Sequence, residues 1–240
     1  MSVWQSETLK KHANRLSRAL TATPLRRKTV VAFARKHQFV YFKTVPAGSL
    51  ESPVVRGSSS APDQVDSNYC VGSHAGYDMT LVERLASASF EGHKTTVRRW
   101  YVLQIDLKHA SNVPFVFLGT RQQSKAYYAR ILATHRDISY LSIPSLADSS
   151  AVFHAAHALL ASPAQFDWLQ RLFTDDVIAT IAAYHHLFAV EIEGENLFVM
   201  TEALVPSEQL LDKLLHYGLW FAKKVDNESL DAKTDQAGRF

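Results

Sequence analysis

Apolar side chains recur along the chain with two different periods, and the switch between them outlines its elements. Residues 4–20 read as an amphipathic helix, because Trp4, Leu9, Ala13, Leu16 and Leu20 return at near-helical spacing beside Lys10, Lys11, Arg15 and Arg18. Thr21-Ala22-Thr23-Pro24 interrupts that helix. Thr23 as N-cap with Pro24 at the first helical position predicts a second helix to about Lys36, presenting Val30, Phe33, Ala34 and His37. Phe39-Val40-Tyr41-Phe42, dense in aromatic and β-branched residues, predicts a buried strand. Residues 44–68 then hold Pro46, Gly48, Pro53, Gly57, Pro62 and three consecutive serines, the composition of a long irregular connection.

From about 67 to 119 the period falls to two. Tyr101, Leu103, Ile105 and Leu107 alternate with Val102, Gln104 and Asp106, which predicts a strand with one buried and one partly wet face. Glu91-Gly92-His93-Lys94 is expected to turn a hairpin, Val113, Phe115 and Phe117 to start another strand, and Ser124 to Ala133 to be helical. Residues Ala151 to Leu160 are apolar and read as a strand. Ser162-Pro163-Ala164-Gln165 has the form of a capping box that opens a helix carrying Phe166, Leu169 and Leu172, and Thr174-Asp175-Asp176 opens another. Val190-Glu191-Ile192 and Leu197-Phe198-Val199-Met200 flank Glu193-Gly194-Glu195-Asn196, a hairpin signature. Pro206-Ser207 begins a last helix with Leu210, Leu211, Leu214, Leu215, Phe221 and Ala222, and from Asp226 the chain is polar and expected to fray. The order predicts an α+β fold, a mainly antiparallel sheet packed by helices with an N-terminal helical arm. Its parts are a basic arm and first strand over 1–43, an irregular linker over 44–66, an α+β body over 67–225 and a polar tail over 226–240.

Composition narrows the class. Apolar residues make up 47% and charged residues 20% of 240 residues, enough to bury a core without staples. The single cysteine, Cys70, allows no internal disulfide and suits a reducing compartment. No apolar run reaches the roughly 18–20 residues that span a bilayer, and the first residues lack the layout of a signal peptide. A cytoplasmic protein is expected, free or peripheral to the inner face of a membrane.

Charge changes the picture further. Residues 1–43 carry ten bases against one acid, Glu7, a net +9, which leaves −6 for the rest of a chain whose total is +3. A basic segment on an acidic body fits three readings: a solvated helix face, a contact to an anionic membrane or membrane-bound partner, or a nucleic-acid contact. The candidate anionic-surface residues are Lys10, Lys11, Arg15, Arg18, Arg26, Arg27 and Lys28.

Several segments together carry a resemblance. They are Phe33 to Tyr41, Asn68-Tyr69-Cys70-Val71-Gly72, Trp100-Tyr101-Val102-Leu103, Leu172 to Val177 and Ala189 to Val199. Over about residues 28–225 the pattern resembles uncharacterised bacterial proteins in which a soluble α+β domain often follows membrane helices. The resemblance implies a fold, built as it is on core and turn residues, and brings no catalytic residues with it. This chain departs from those relatives in showing no transmembrane segment.

Motifs for chemistry are sparse. The nine glycines match neither a dinucleotide fingerprint nor a P-loop. Gly72-Ser73-His74-Ala75-Gly76 has His74 where a nucleophile elbow needs serine, so a turn is expected. His154 and His157 would point to opposite faces of a strand, and His185-His186 lies at a helix-to-strand corner, so neither pair makes a metal site. Asp175-Asp176 is explained by helix capping. Arg98-Arg99-Trp100-Tyr101 interleaves bases with aromatics, but the favoured reading puts Tyr101 in the core and Trp100 under a helix. No cofactor, metal or catalytic residue is expected. The leading function is a non-catalytic intracellular binding or interaction module, recruited to a membrane or membrane protein. The alternatives are an enzyme with a fold-assembled His/carboxylate site and a nucleic-acid binder using the basic arm. The partner expected is a protein or an anionic membrane surface, with nucleic acid disfavoured.

Overall fold

The computed structural model describes residues 23–45, 65–88, 96–109, 113–121, 125–141 and 151–237. Among these residues, nine strands form one sheet in the order β1-β2-β3-β4-β9-β8-β5-β7-β6. In chain order they are β1 (Val40–Phe42), β2 (Val65–His74), β3 (Tyr77–Ala88), β4 (Thr96–Asp106), β5 (Val116–Thr120), β6 (Ser139–Leu141), β7 (His157–Ala161), β8 (Ala189–Glu193) and β9 (Asn196–Glu202). Every pairing is antiparallel. Among the described residues, six helices pack on the sheet: α1 over 23–36, α2 (Lys125–Thr134), α3 (Ala151–Ala156), α4 (Phe166–Leu172), α5 (Asp175–Tyr184) and α6 (Glu208–Ala237). The α+β expectation is met. The predicted helix over 4–20 and most of the predicted linker lie outside the described residues, and β2 already begins at Val65.

Period-two alternation splits the sheet's side chains into two cores. Tyr101, Leu103 and Ile105 of β4 join Leu197 and Val199 of β9 beneath α1 and α3–α6. Trp100 and Val102, one residue out of step, join Phe198, Met200 and Phe117 beneath Tyr128 and Ile131 of α2. Trp100 stacks on Tyr127 of α2 with ring centroids 5.9 Å apart. The predicted fate of both aromatics is therefore observed.

Short turns set the register. Ala75 (φ 50°) and Gly76 (φ 80°) join β2 to β3, two left-handed residues as a type I′ hairpin requires. Gly194 (φ 60°) turns β8 into β9, where Glu193 pairs Asn196. A bulge in β2 shifts the pairing between Ser67 and Cys70, and Asn68 sits in it at φ 53°. Gly72 is needed for close approach, since a Cβ there would meet the Phe39 ring at 2.6 Å.

Five expectations differ from the structure, each for a local reason. Residues 39–42 form only a three-residue strand that pairs with β2 alone among the described residues, and alternation puts Val40 and Phe42 together on an exposed face while Phe39 turns inward. Residues 151–160 are not one strand: 151–156 are helical with Phe153 buried, and β7 begins at His157. The Ser162 side chain makes no capping bond, since Pro163 starts a short 3₁₀ turn, Pro163–Gln165, closed by Gln165 N–H to the Ser162 carbonyl at 3.0 Å. Thr23 is already helical, and its hydroxyl accepts from Arg26 Nη2 at 2.8 Å. Finally, α6 does not end at Asp226 but runs to Ala237.

That last difference has a polar cause. Asp226 is 3% exposed and accepts from the Tyr77 hydroxyl (2.7 Å) and from the backbone N–H groups of Lys108 (3.0 Å) and His109 (2.9 Å). The carboxylate thus ties α6 to β3 and to the end of β4. Asp226→Ala leaves three donors without their acceptor and is expected to cost about 2–4 kcal/mol. Urea denaturation of the full chain checks this, and an unchanged midpoint refutes it.

His157 gives a second expectation. It is 1% exposed and stacks on Phe153 at 5.0 Å. Burial lowers its pKa from 6.5 to about 4. The folded chain keeps His157 neutral where the unfolded chain is protonated, so this contribution is whole above about pH 6.5 and is lost as pH falls toward 4. The shift corresponds to roughly 3 kcal/mol. His157→Phe, which keeps the stack, is expected to flatten the fall in stability between these pH values. Denaturation midpoints across the range test it, and an unchanged slope rules it out.

Candidate functional site

The helix α1 carries the charge that the sequence analysis singled out, and its rotation decides where that charge goes. Arg26, Val30, Phe33 and Ala34 fall on one stripe and are all buried. Arg26 reaches Glu83 of β3, Nε to Oε1 3.2 Å, with both side chains under a tenth exposed. Arg99 Nη1 of β4 pairs with the same Oε1. Asn68, turned inward by the β2 bulge, donates to Glu83 Oε2 at 2.6 Å and accepts from the Tyr41 hydroxyl at 2.6 Å. Burial raises the Tyr41 pKa, against the opposing pull of the neighbouring Arg27. At the other end of α1, Lys36 Nζ and His37 Nε2 bind the two carboxylate oxygens of Asp212 on α6 at 2.6 and 2.8 Å. Burial disfavours the Asp212 charge, but these two partners outweigh it and lower its pKa.

With Arg26 held inward, the next stripe of α1 turns outward beside the β1 edge. Thr23, Pro24, Arg27, Lys28, Val31, Ala32 and Arg35 line an open groove of about 580 Å3, joined by Lys43 from just after β1. Its lining is mostly apolar, and four cations rim it. Among the described residues, no carboxylate forms an ion pair with Arg27, Lys28, Arg35 or Lys43. Such a site offers unneutralised positive charge over a greasy floor, the combination that suits an anionic amphipathic surface.

The candidates from sequence distribute unevenly over this site. Arg27 and Lys28 stand on the groove, whereas Arg26 points away from it into the Glu83 network. Lys10, Lys11, Arg15 and Arg18 lie outside the described residues. Arg35 and Lys43 were missed. Arg35 could have been found, since it is two turns beyond Arg27 on the same stripe. Lys43 joins only through the chain reversal at 37–39, which periodicity does not reveal.

The other constellations do not converge on a reaction. His37, His74 and His216 gather around Asp212, and the His74 pKa is lowered by burial and then by the two neighbouring histidines. Among the described residues, no group of three His, Cys, Asp or Glu side chains is placed to hold a metal. Ser73 donates to Asp78 at the mouth of the β2–β3 hairpin. His154 lies in the last turn of α3 while His157 is in the core, and His185 closes α5 with its ring stacked on Tyr217 at 4.2 Å. Asp175 and Asp176 are exposed in the first turn of α5, where Thr174 donates to Asp176 and lowers its pKa. The Cys70 thiol lies under α1, and burial pushes its pKa up to about 12, far from a reactive thiolate. A small cavity of about 110 Å3 beside Trp100 and Met200 has Glu202 as its one charged lining residue, and Glu202 is paired with Arg98. No helix among the described residues is long and apolar enough to cross a membrane.

No protein-family model matches the chain, and no curated protein matches it in sequence. In three dimensions it is similar to the crystal structure of the mycobacterial trehalose monomycolate transport factor A, TtfA, with a TM-score of 0.54. At 15% sequence identity the likeness covers 85% of this chain and 92% of that one, and it is a likeness of fold.

Proposed function

We propose that this chain is a non-catalytic binding module that works against an anionic membrane surface or a membrane-associated transport assembly, meeting it with the basic face of α1. The observation that carries the reading is the set of four cations, Arg27, Lys28, Arg35 and Lys43, that form no ion pair among the described residues and are held over an apolar floor by a helix that is itself pinned at both ends. Cations without an acid partner among the described residues are available to an anionic partner. The fold likeness to a protein named as a trehalose monomycolate transport factor points the same way, as analogy. The burial of Trp100 and Tyr101 leaves the Arg98–Tyr101 cluster without an exposed aromatic face for base stacking.

The test is flotation of the full chain with phosphatidylglycerol vesicles and with phosphatidylcholine vesicles. Binding to the first alone, weakening with salt, is expected. Each base near an anionic surface contributes about 1 kcal/mol. The variant Arg27→Gln, Lys28→Gln, Arg35→Gln is therefore expected to bind up to about a hundredfold more weakly, with its helical circular dichroism unchanged because all three side chains are exposed. Removing residues 1–43 is no substitute, since Val30, Phe33 and Phe39 belong to the core. A full chain that stays in the soluble fraction with both vesicles at low salt overturns the membrane-surface reading.

A further inference from the structure

We infer that the α1 groove is a binding site for a single amphiphilic anion, one alkyl chain ending in a phosphate or carboxylate. The inference rests on the reading of this face as a membrane-facing one and names what the groove takes from such a surface.

A surface that only leans on charged head groups needs a flat array of cations and nothing between them. This face has more. Arg27, Val31 and Arg35 follow one another at four-residue spacing, so an apolar side chain sits between two bases on one stripe of α1. Pro24 and Ala32 extend the apolar floor to either side, and Val31 and Ala32 are half-buried, below the rim rather than on it. The volume of about 580 Å3 falls among sites for small molecules, which run from about 300 to 1,000 Å3.

The charges are also grouped. Arg27 stands beside Tyr41, two residues before Lys43, so both bases belong to the end of the groove nearest the Glu83 network. Arg35 is eight residues further along the helix, about 12 Å away at 1.5 Å per residue. One head group is therefore served by Arg27 and Lys43. The alkyl chain runs from there over Val31 toward Arg35, whose methylene stem can cover it while the guanidinium stays in water. Glu83 lies inside, already bound to Arg26, Arg99 and Asn68, and repels nothing at the rim.

The site is preformed. Glu83 holds α1 at Arg26, and Asp212 holds it at Lys36 and His37. A ligand entering the groove does not have to order the helix first. The chain's own N-terminal segment is a poor electrostatic occupant, because residues 1–22 carry Lys10, Lys11, Arg15 and Arg18 against Glu7 alone. Placing that segment in the groove would bring like charges together, whereas an anionic amphiphile neutralises the rim.

Isothermal titration of the full chain with decyl phosphate, kept below its micelle concentration, tests the site. Decyl maltoside and inorganic phosphate serve as comparators. Saturable one-to-one binding of decyl phosphate is expected, with both comparators at least about tenfold weaker, since each lacks one half of the recognition. Arg27→Gln with Lys43→Gln is expected to weaken decyl phosphate by about ten- to thirtyfold. Val31→Asp is expected to abolish binding, and circular dichroism of each variant confirms that it is folded. Equal uptake of decyl maltoside, equal affinity for inorganic phosphate, or an unaffected Arg27/Lys43 variant overturns the inference. So does the absence of saturable binding to the full chain, which would mean that the groove is filled by its own N-terminal segment or takes no ligand. Flotation with anionic vesicles but no binding of the monomeric amphiphile removes this inference and leaves the surface reading. Monomer binding without flotation does the reverse.

Discussion

The arrangement of this molecule turns on one carboxylate. Glu83 sits in the middle of β3 and is 2% exposed, so its charge cannot be solvated by water. It is held by Arg26, Arg99 and Asn68, which come from a helix, the neighbouring strand and a bulge in the strand on the other side. Two of these partners are cations, so the cluster attracts α1 to the sheet and at the same time fixes its rotation about its own axis. Were Arg27 to turn inward in place of Arg26, the helix would roll by about 100° and lose Val30, Phe33 and Ala34 from the core. The outward groove is thus a by-product of an inward requirement.

A second buried pair shows the same logic on the opposite face. Arg84, the neighbour of Glu83 on β3, is fully buried and forms a two-pronged contact with Asp66 of β2, Nε and Nη2 each 2.8 Å from a carboxylate oxygen. Consecutive residues of one strand therefore carry opposite charges into opposite cores. A slip of β3 by one residue would put Arg84 before Arg26 and Arg99, and Glu83 before Asp66. Charge as well as apolar patterning specifies the register.

The fold was legible in the sequence wherever one period governed a whole element. The alternation through Tyr101 to Asp106 and the Gly194 hairpin appear in the structure as read, because strand faces and turn stereochemistry are local properties. Legibility failed where a distant group supplied the missing partner. Asp226 looked like the start of a polar tail, and only the arrival of Tyr77 and the Lys108 and His109 amides makes it a buried tether. Arg26, Arg27 and Lys28 read as one basic patch, but the helix turns Arg26 into the core while Arg27 and Lys28 stay on the outward groove. The role of Asn68 depends on a bulge that its side chain and left-handed backbone make easy but that no periodicity signals. The helix-to-strand switch at His157 falls within one apolar run, where hydrophobicity alone does not tell the two structures apart.

The lone cysteine adds a property of a different kind. Cys70 is fully buried, with Sγ 3.9 Å from the Val30 carbonyl of α1, and its elevated pKa keeps it a thiol at any ordinary pH. A thiol reagent therefore reaches it only during the fraction of time that α1 lifts away from β2. With no second cysteine in the chain to confuse the signal, the rate at which Cys70 is labelled becomes a clock for that motion. The strand beneath the helix that presents the basic groove thus carries a reporter of when that helix is seated.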